Sequence, residues 1–194
     1  MAKVSPEEII HAAIQLFCKN GYHATSMRDI ARAVDIKKSS LYHHFESKEA
    51  ILLAILEKGM DQLICDIERI ATSDLPCEDK VRAAITAHAR IIAANPKGAA
   101  VFLREDRGLG DDYLAQYVAK RDRVDHLLRT IVQECVDAGV FRPNDVAITV
   151  HALLGAVNWM TRWYRLEGRL SADEIASIFA DLFVEGLRAP SHHP

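Results

Sequence analysis

The chain has 194 residues, of which 49% are hydrophobic and 26% charged, and its net charge is −3 at neutral pH. This composition predicts a soluble globular protein with a sizeable core, organised as one large domain or a small domain joined to a larger one. No apolar run approaches the roughly 18 residues of a membrane span, and the N-terminus has no apolar signal core. We therefore expect a cytoplasmic protein with no membrane partner.

Charge is unevenly distributed along the chain. Residues 1–48 carry seven lysines and arginines against five acidic side chains, so this part has a net charge of +2 and the remainder −5. A basic N-terminal part on an acidic body is the asymmetry expected when only the N-terminal part meets phosphate. The difference is modest and needs support from the pattern of residues.

The cysteines do not indicate a metal site or a disulfide framework. Cys18, Cys65, Cys77 and Cys135 lie far apart and never form a C-x-x-C pair. We expect reduced thiols, with Cys18 and Cys135 buried in helices, and no metal or cofactor. A redox-sensing role for Cys65 or Cys77 stays open, because such a role requires an exposed thiol of low pKa.

Three short helices and the start of a long one are predicted before residue 53. The first begins at Ser5-Pro6, with serine as the cap, and stops at Gly21. The second begins at Ser26, which lies three residues before an acidic side chain, and ends near residues 35–36. Ser39 or Ser40 can cap a very short third helix. A long fourth helix opens at residues 46–49.

The second and third helices are joined by a turn of a few residues, which is helix-turn-helix spacing. In that motif the later helix lies in the major groove, so its outward side chains must contact bases and phosphates. Bulky apolar residues are missing from this outward face. It consists of Lys37, Lys38, Ser39, Ser40, Tyr42, His43 and His44. The alternative is a helix that is simply exposed to solvent and whose two histidines have no role in binding.

The run T-S-M-R-D-I-A-x-x-V-x-I-K-K-S-S-L-Y-H-H-F-x-S-K-E-A-I resembles the DNA-binding head of TetR-family transcriptional regulators. Asp35 stands where such proteins commonly have glycine, and aspartate can adopt the same tight backbone conformation. The resemblance implies that Thr25, Ser26 and Arg28 touch the DNA backbone. It also implies that the seven outward residues face the groove or its walls, and that Lys48 holds a phosphate.

Beyond the head, helical periodicity predicts six further elements, counting the long fourth helix, which runs to about residue 70. The fifth helix starts near residue 76 and ends near 95, a short apolar segment follows at 99–103, and a long seventh helix runs from 111 to 139. The eighth helix spans about 146–165 and the ninth 171–187, and residues 189–194 are expected to be disordered. The prediction is an all-α, nine-helix, two-domain protein: a DNA-binding domain at 1–48 and a ligand-binding and dimerisation domain at 49–188.

The eighth and ninth helices are too apolar for the outside of a monomer. Ala152, Gly155 and Ala156 also supply small residues for close helix approach. Two such helices from each of two chains would form a four-helix bundle, as TetR-like proteins use for dimerisation. A two-fold homodimer would present two recognition helices to a pseudo-palindromic operator. The alternative is a core that lies entirely within one chain.

The end of the eighth helix combines arginine with tryptophan in an apolar context, which suits an anionic ligand with an apolar body. The segments L-R-E-x-R-x-L and G-x-x-N-W-x-x-x-W-Y-x-x-x-G-x-L-S resemble the C-terminal domain of TetR-type regulators that sense acyl-CoA thioesters. The expected ligand-binding residues are Phe102, Arg104, His151, Gly155, Asn158, Trp159, Arg162 and Trp163. Alternatively, the tryptophans pack in the core or the dimer interface and Arg162 pairs with Glu105 or Asp173.

These observations predict a ligand-responsive regulator, a repressor rather than an activator, released from operator double-stranded DNA by a small effector. An enzyme acting on a thioester is a rival, although the chain has no G-x-S-x-G elbow, no metal-ligand spacing and no carboxylate pair of defined separation, so no catalytic residues are assigned. A DNA-binding protein without a small-molecule ligand is the third possibility.

Overall fold

The structure, a computed structural model, describes residues 4–102 and 109–190, without the side chain of Phe102. These residues form an all-α protein, and their strand-like pairing is limited to an isolated bridge between Phe141 and Arg188. The helices are α1 (Pro6–Asn20), α2 (Met27–Ala33), α3 (Lys38–Tyr42), α4 (Lys48–Ala71), α5 (Cys77–Ala94), α6 (Pro96–Phe102), α7 (Asp111–Asp137), α8 (Val146–Asn158), α9 (Met160–Trp163) and α10 (Ala172–Leu187). The expected all-α, two-domain class is confirmed.

The expected eighth helix is divided into α8 and the one-turn α9. Trp159 lies between the two, and the chain leaves α9 at Tyr164, which is extended (φ −61°, ψ 138°) and buried. The period-3.6 pattern predicted one continuous helical face for Asn158, Arg162 and Arg165. Because the helix is divided, the three residues do not share such a face. The helix ends at Tyr164, before Arg165 is reached.

Local sequence signals set the helix starts. The Ser5 hydroxyl accepts a hydrogen bond from the Glu8 amide (3.2 Å), and the Glu8 carboxylate accepts one from the Ser5 amide (2.8 Å). The same reciprocal capping box opens α2 at Ser26 and Asp29 and opens α10 at Ser171. Hydrogen bonds from the Ser26 hydroxyl and backbone lower the pKa of the Asp29 carboxyl.

Contacts divide the chain into two compact units. The first unit comprises residues 1–60 and 96–119, and the second comprises residues 61–95 and 120–194. The expected linear division after residue 48 is thus simpler than the observed one. Both α4 and α7 contribute their first turns to the first unit and their remaining turns to the second, because each helix is long enough to run through both.

In the first unit, α1 packs on α2 and α6, and α2 packs on α3. Completely buried side chains of Ile9, Ile30 and Leu41 bring the three short helices together. The Lys97 ammonium donates a hydrogen bond of 2.6 Å to Gln15, which adds a polar contact between α6 and α1. The short helices are therefore held by a shared apolar core, since helices of this length are marginal alone.

In the second unit, α5 packs most extensively on α10 and also on α8. Ion pairs of Arg82 with Asp181 and of Arg90 with Asp173 line the rim of the α5–α10 contact. Asp173 is thus occupied by Arg90, which removes the alternative in which it pairs with Arg162. The buried ammonium of Lys80 contacts both carboxylate oxygens of Glu134 (2.9 and 3.0 Å) and the Ala71 carbonyl (3.2 Å).

The C-terminal segment is held where it leaves α10. The Ala189 amide donates to the Val140 carbonyl (2.9 Å), next to the bridge between Phe141 and Arg188. The prediction of disorder from residue 189 onward is therefore wrong for Ala189, because its backbone completes this pairing. Residues 191–194 lie outside the described residues. In the part of the chain that the structure describes, no helix is long and apolar enough to cross a membrane.

Candidate nucleic-acid interface and effector domain

The turn between α2 and α3 sets the direction of the short third helix. Asp35 has φ 52°, in the left-handed region that favours glycine. This agrees with the expectation that aspartate adopts the tight conformation there. The Ile36 amide then donates to the Ala31 carbonyl (3.0 Å), and Leu41 is completely buried. One face of α3 is therefore fixed against α2, and the opposite face is outward.

Helix α3 begins two residues earlier than a serine cap would place it. Its N-cap is Lys37, and no side chain caps the helix. The expectation that Ser39 or Ser40 caps it is wrong, because both serines already lie within the first turn. Their hydroxyls are consequently not used as caps.

Most of the predicted DNA-contacting residues are exposed on the first unit. The exposed set is Ser26, Arg28, Lys37, Lys38, Ser39, Tyr42 and His43; Ser40, His44 and Lys48 are half-buried. The Lys38 ammonium lies 5.5 Å from the centre of the Tyr42 ring, an arrangement that keeps both side chains on one outward patch with the rest of the exposed set. This patch combines three positive charges, hydroxyls, an aromatic ring and an imidazole, which are suitable partners for phosphates and base edges.

Thr25 does not belong to this patch. Its side chain is only 1% exposed, and its hydroxyl donates to the Gly21 carbonyl at 2.9 Å. The expectation that the Thr25 side chain touches DNA is therefore corrected: a hydroxyl buried here needs an internal acceptor, and the end of α1 supplies it. Thr25 joins the end of α1 to the start of α2.

Lys48 is likewise turned towards the protein. Its ammonium donates to the carbonyls of Tyr22 (2.7 Å) and Thr25 (2.8 Å) and lies 4.2 Å from the centre of the Tyr22 ring. These contacts fasten the start of α4 to the loop between α1 and α2. These contacts give the amine an internal role, and its phosphate contact stays a prediction.

In the second unit, α8 and α10 expose an apolar stripe. Ile148 of α8 is 63% exposed, Trp159 just after α8 is 61% exposed, and Leu182 of α10 is 66% exposed. Ala152 and Gly155 continue the stripe at helical spacing. A Cβ atom added to Gly155 would meet nothing within 4 Å. No contact among residues 4–102 and 109–190 requires these surfaces to be apolar, which is typical of a covered interface.

The described effector residues of the second unit lie in several places. Arg104 is outside the described residues, and for Phe102 only its position at the end of α6 is described. His151 faces α7, where its Nε2 lies 3.5 Å from an Asp125 oxygen and 3.5 Å from an Arg129 nitrogen. Gly155 belongs to the exposed stripe, so it does not share a site with His151.

Trp159 and Arg162 do lie together. The Arg162 guanidinium is 5.6 Å from the centre of the Trp159 ring, and both side chains are exposed. Trp163, 43% exposed, borders a neighbouring cleft of about 380 Å³ between the α9 segment and α10. Apolar side chains and two arginines line it: Trp163, Tyr164, Arg165, Gly168, Arg169, Leu170, Ile175, Ile178 and Phe179. The tryptophans are thus not core residues of this chain.

Asn158 points to the opposite side, into the contact of α8 with α5. There it faces His88, whose ring is buried and whose Nδ1 has no hydrogen-bond partner among the described residues. Burial lowers the pKa of His88 to about 4, outweighing the opposite effect of Asn158, so the imidazole is neutral at physiological pH. The proximity of His88 to Asn158, on another helix, could not be predicted from the spacing of residues in the sequence.

Comparison with known proteins agrees with this arrangement. Residues 9–55 match the family described as "Bacterial regulatory proteins, tetR family", and residues 74–187 match "Tetracyclin repressor-like, C-terminal domain". The chain is 30% identical over 185 residues to the HTH-type transcriptional repressor KstR2 of Rhodococcus jostii, an alignment that covers 94% of this chain and 91% of the relative.

Two solved structures share the fold over nearly their full length. The TetR-family regulator PfmR from Thermus thermophilus superposes with a TM-score of 0.85 at 36% identity, covering 93% of this chain and 99% of that one. AibR, solved with isovaleryl coenzyme A and operator DNA, superposes with a TM-score of 0.80 at 27% identity, covering 91% and 96%. The chain therefore belongs to the TetR family of bacterial transcriptional regulators.

Proposed function

We propose that this protein is a cytoplasmic transcriptional repressor that binds a pseudo-palindromic operator as a homodimer and leaves it when a small effector binds. The observation that carries the DNA-binding part is the outward patch on α3, where Lys37, Lys38 and Tyr42 are exposed beside a buried Leu41. Because TetR-family proteins are transcription regulators, the rival of a thioester enzyme is set aside.

The DNA contacts divide by chemistry. Lys37 and Lys38 supply charge for phosphates, while the hydroxyls and rings of Ser39, Tyr42 and His43 supply donors and acceptors for base edges and phosphates. Ser26 and Arg28, exposed at the start of α2, contact the backbone of the same groove. In this proposal Thr25 and Lys48 shape the head from inside rather than touching DNA.

The test is a mobility-shift titration on the DNA upstream of the protein's own gene, since such regulators commonly act locally. We expect Lys38→Ala and Tyr42→Ala each to weaken binding by the dimer about 30-fold or more, since roughly 1–3 kcal/mol is lost in each of the two chains. Lys58→Ala, which removes an exposed lysine of α4 outside the patch, is the matched control. Binding by both patch variants as tight as wild type would refute the assignment of α3.

The homodimer is proposed to form through the apolar stripe of α8 and α10. Burying side chains that are more than half exposed, such as Ile148, Trp159 and Leu182, gives association its driving force. Gly155 allows a partner helix to approach closely, because a Cβ there faces open space. A two-fold pairing would present two α3 helices to two half-sites.

Sedimentation equilibrium tests this interface. We expect Leu182→Glu to convert the dimer to monomer at micromolar concentration, because it buries a carboxylate in an apolar contact. Leu75→Glu, at a leucine 45% exposed and outside the stripe, should leave the dimer intact. An unchanged dimer for Leu182→Glu would place the interface elsewhere.

The effector is proposed to be an apolar anion of the acyl-CoA thioester class. Support comes from the Arg162–Trp159 stack, which offers a planar cation on an aromatic face, and from the apolar cleft beside it with two arginines in its lining. The isovaleryl coenzyme A bound to AibR is a ligand of this chemistry in a protein of the same fold. Release requires only that effector and operator prefer different conformers.

Thermal shift and operator release, each titrated with isovaleryl-CoA and with a long-chain acyl-CoA, test this part. A ligand that binds only the folded state raises the melting temperature by mass action. Arg162→Ala should weaken both responses, whereas Arg142→Ala, at another exposed arginine of the same unit, should not. No response to either thioester would remove this effector class and favour a regulator without such a ligand.

A further inference from the structure

The first turn of α7 contacts the junction that follows the recognition helix. Within the first compact unit, the Tyr113 hydroxyl donates a hydrogen bond of 2.5 Å to the carboxylate of Glu46. Just before α7, a Cβ added to Gly110 would lie 3.3 Å from a carboxylate oxygen of Glu49. These two contacts show that α7 begins directly against the start of α4.

Glu46 lies in the turn of residues 43–47 that joins α3 to α4. The Ser47 hydroxyl accepts a hydrogen bond from the Ala50 amide (3.0 Å) and so caps α4, and Lys48 ties the same place to the carbonyls of Tyr22 and Thr25. The hydrogen bond to the Glu46 carboxylate raises the pKa of the Tyr113 hydroxyl. The phenol thus remains a donor at physiological pH.

The turn is therefore held from two directions. Lys48 holds it from within the helix-turn-helix, through contacts 23 and 26 residues away in sequence. Tyr113 holds it from a helix that begins more than sixty residues later and continues into the second unit. A short helix such as α3, which has no side-chain cap at its start, depends on such neighbours for its position.

We infer that Tyr113 is a positioning residue for operator binding: by holding Glu46 it fixes the α3–α4 turn and, through it, the recognition helix. The hydrogen bond also keeps the Glu46 carboxylate directed towards α7. The positive side chains near α3 are the ones that must attract phosphate. This inference rests on the proposed DNA-binding function of α3. It adds a residue that touches no DNA and lies outside the helix-turn-helix.

The perturbation is Tyr113→Phe, which removes one hydroxyl and keeps the ring. We expect operator affinity to fall on the order of tenfold for the dimer, since a charge-assisted hydrogen bond is lost in each chain. The salt dependence of binding should not change, because no phosphate contact is removed. A loss of phosphate contact, by contrast, would reduce the slope.

Glu46 variants provide the matched comparison. Glu46→Gln keeps an acceptor for the Tyr113 hydroxyl and should bind the operator about as tightly as wild type. Glu46→Leu removes the acceptor and should reproduce the loss seen in Tyr113→Phe. The double variant Tyr113→Phe with Glu46→Leu should bind no more weakly than either single variant, because both remove the same interaction. Additive losses would overturn the inference.

A readout without DNA separates this inference from the proposed function. The amides of His43, His44 and Phe45 donate to Ser40 and Leu41 carbonyls, so their hydrogen exchange reports the end of α3. Tyr113→Phe should accelerate their exchange while leaving the amides of α10 unchanged. If Lys38→Ala weakens operator binding but Tyr113→Phe changes neither affinity nor exchange, the inference fails and the DNA-binding proposal stands. If Tyr113→Phe accelerates exchange and Lys38→Ala has no effect on binding, the DNA-binding proposal fails instead.

Discussion

Replacing Lys48 by methionine distinguishes an internal role from a phosphate contact. The change removes three hydrogen bonds from a charged donor, to the carbonyls of Tyr22, His23 and Thr25, and the contact with the Tyr22 ring, while keeping the length of the side chain. Hydrogen bonds of this kind contribute roughly 1.5–3 kcal/mol each, and the cation–π contact about 0.5–1 kcal/mol. Because water can replace part of this at a half-buried site, we expect a loss of about 2–4 kcal/mol in the first unit.

Amide hydrogen exchange of residues 21–30 measures that loss, since it reports the first unit separately from the second. Lys37→Met, which changes an exposed lysine at the start of α3, is the control and should alter stability by less than about 0.5 kcal/mol. The two variants should differ in the salt dependence of operator binding. Lys37→Met should reduce the salt slope by about 2 per dimer if each chain loses one phosphate contact, and Lys48→Met should leave the slope unchanged.

The result that would refute this reasoning is an undisturbed first unit in Lys48→Met together with a reduced salt slope. The amine would then be free to leave the carbonyls and hold a phosphate, as the resemblance alone implied. A variant that is destabilised and also has a reduced slope would show that the amine serves both purposes in turn.

Three further predictions concern stability. Because burial depresses the pKa of His88 to about 4, this side chain is protonated in the unfolded chain but neutral in the folded chain between pH 6.5 and 4. The unfolding free energy should therefore fall by up to about 3 kcal/mol as the pH falls through this range. His88→Leu should abolish this contribution in urea titrations at stepped pH. Glu134→Leu should destabilise the second unit by roughly 2–3 kcal/mol, more than Lys80→Met, because it leaves the buried ammonium with mainly the Ala71 carbonyl as acceptor; equal costs in thermal unfolding would contradict this. Asp35→Gly should be neutral or stabilising by up to about 1 kcal/mol, while Asp35→Val should cost more than about 1 kcal/mol, and the reverse order in melting experiments would be inconsistent with φ 52°.

Features whose partners lie close in sequence could be predicted. The capping boxes at Ser5 and Ser26 need an acid three residues later, and the stop at Gly21 needs only a glycine. The inward position of Leu41 follows from helical period. These are hydrogen bonds and packing contacts within one or two turns, so the head could be outlined from the sequence.

Features whose partners lie far away in sequence could not be predicted. Nothing near Lys48 in sequence indicates that it binds carbonyls on the far side of the head, or that Glu46 accepts a hydrogen bond from Tyr113. The break at Trp159 has no glycine or proline to announce it. The predicted effector residues from His151 to Trp163, placed on one assumed helix, therefore do not all share one face in the structure.

The division of the chain into interleaved units has a consequence for building chimeric regulators. A head transplanted as residues 1–48 would lose α6, which packs on α1, and the first turn of α7 with Tyr113. Its Glu46 would be left facing whatever residue the recipient carries at that position. A graft that retains its operator affinity should therefore exchange residues 1–60 together with 96–119, so that two separate stretches of chain travel as one part.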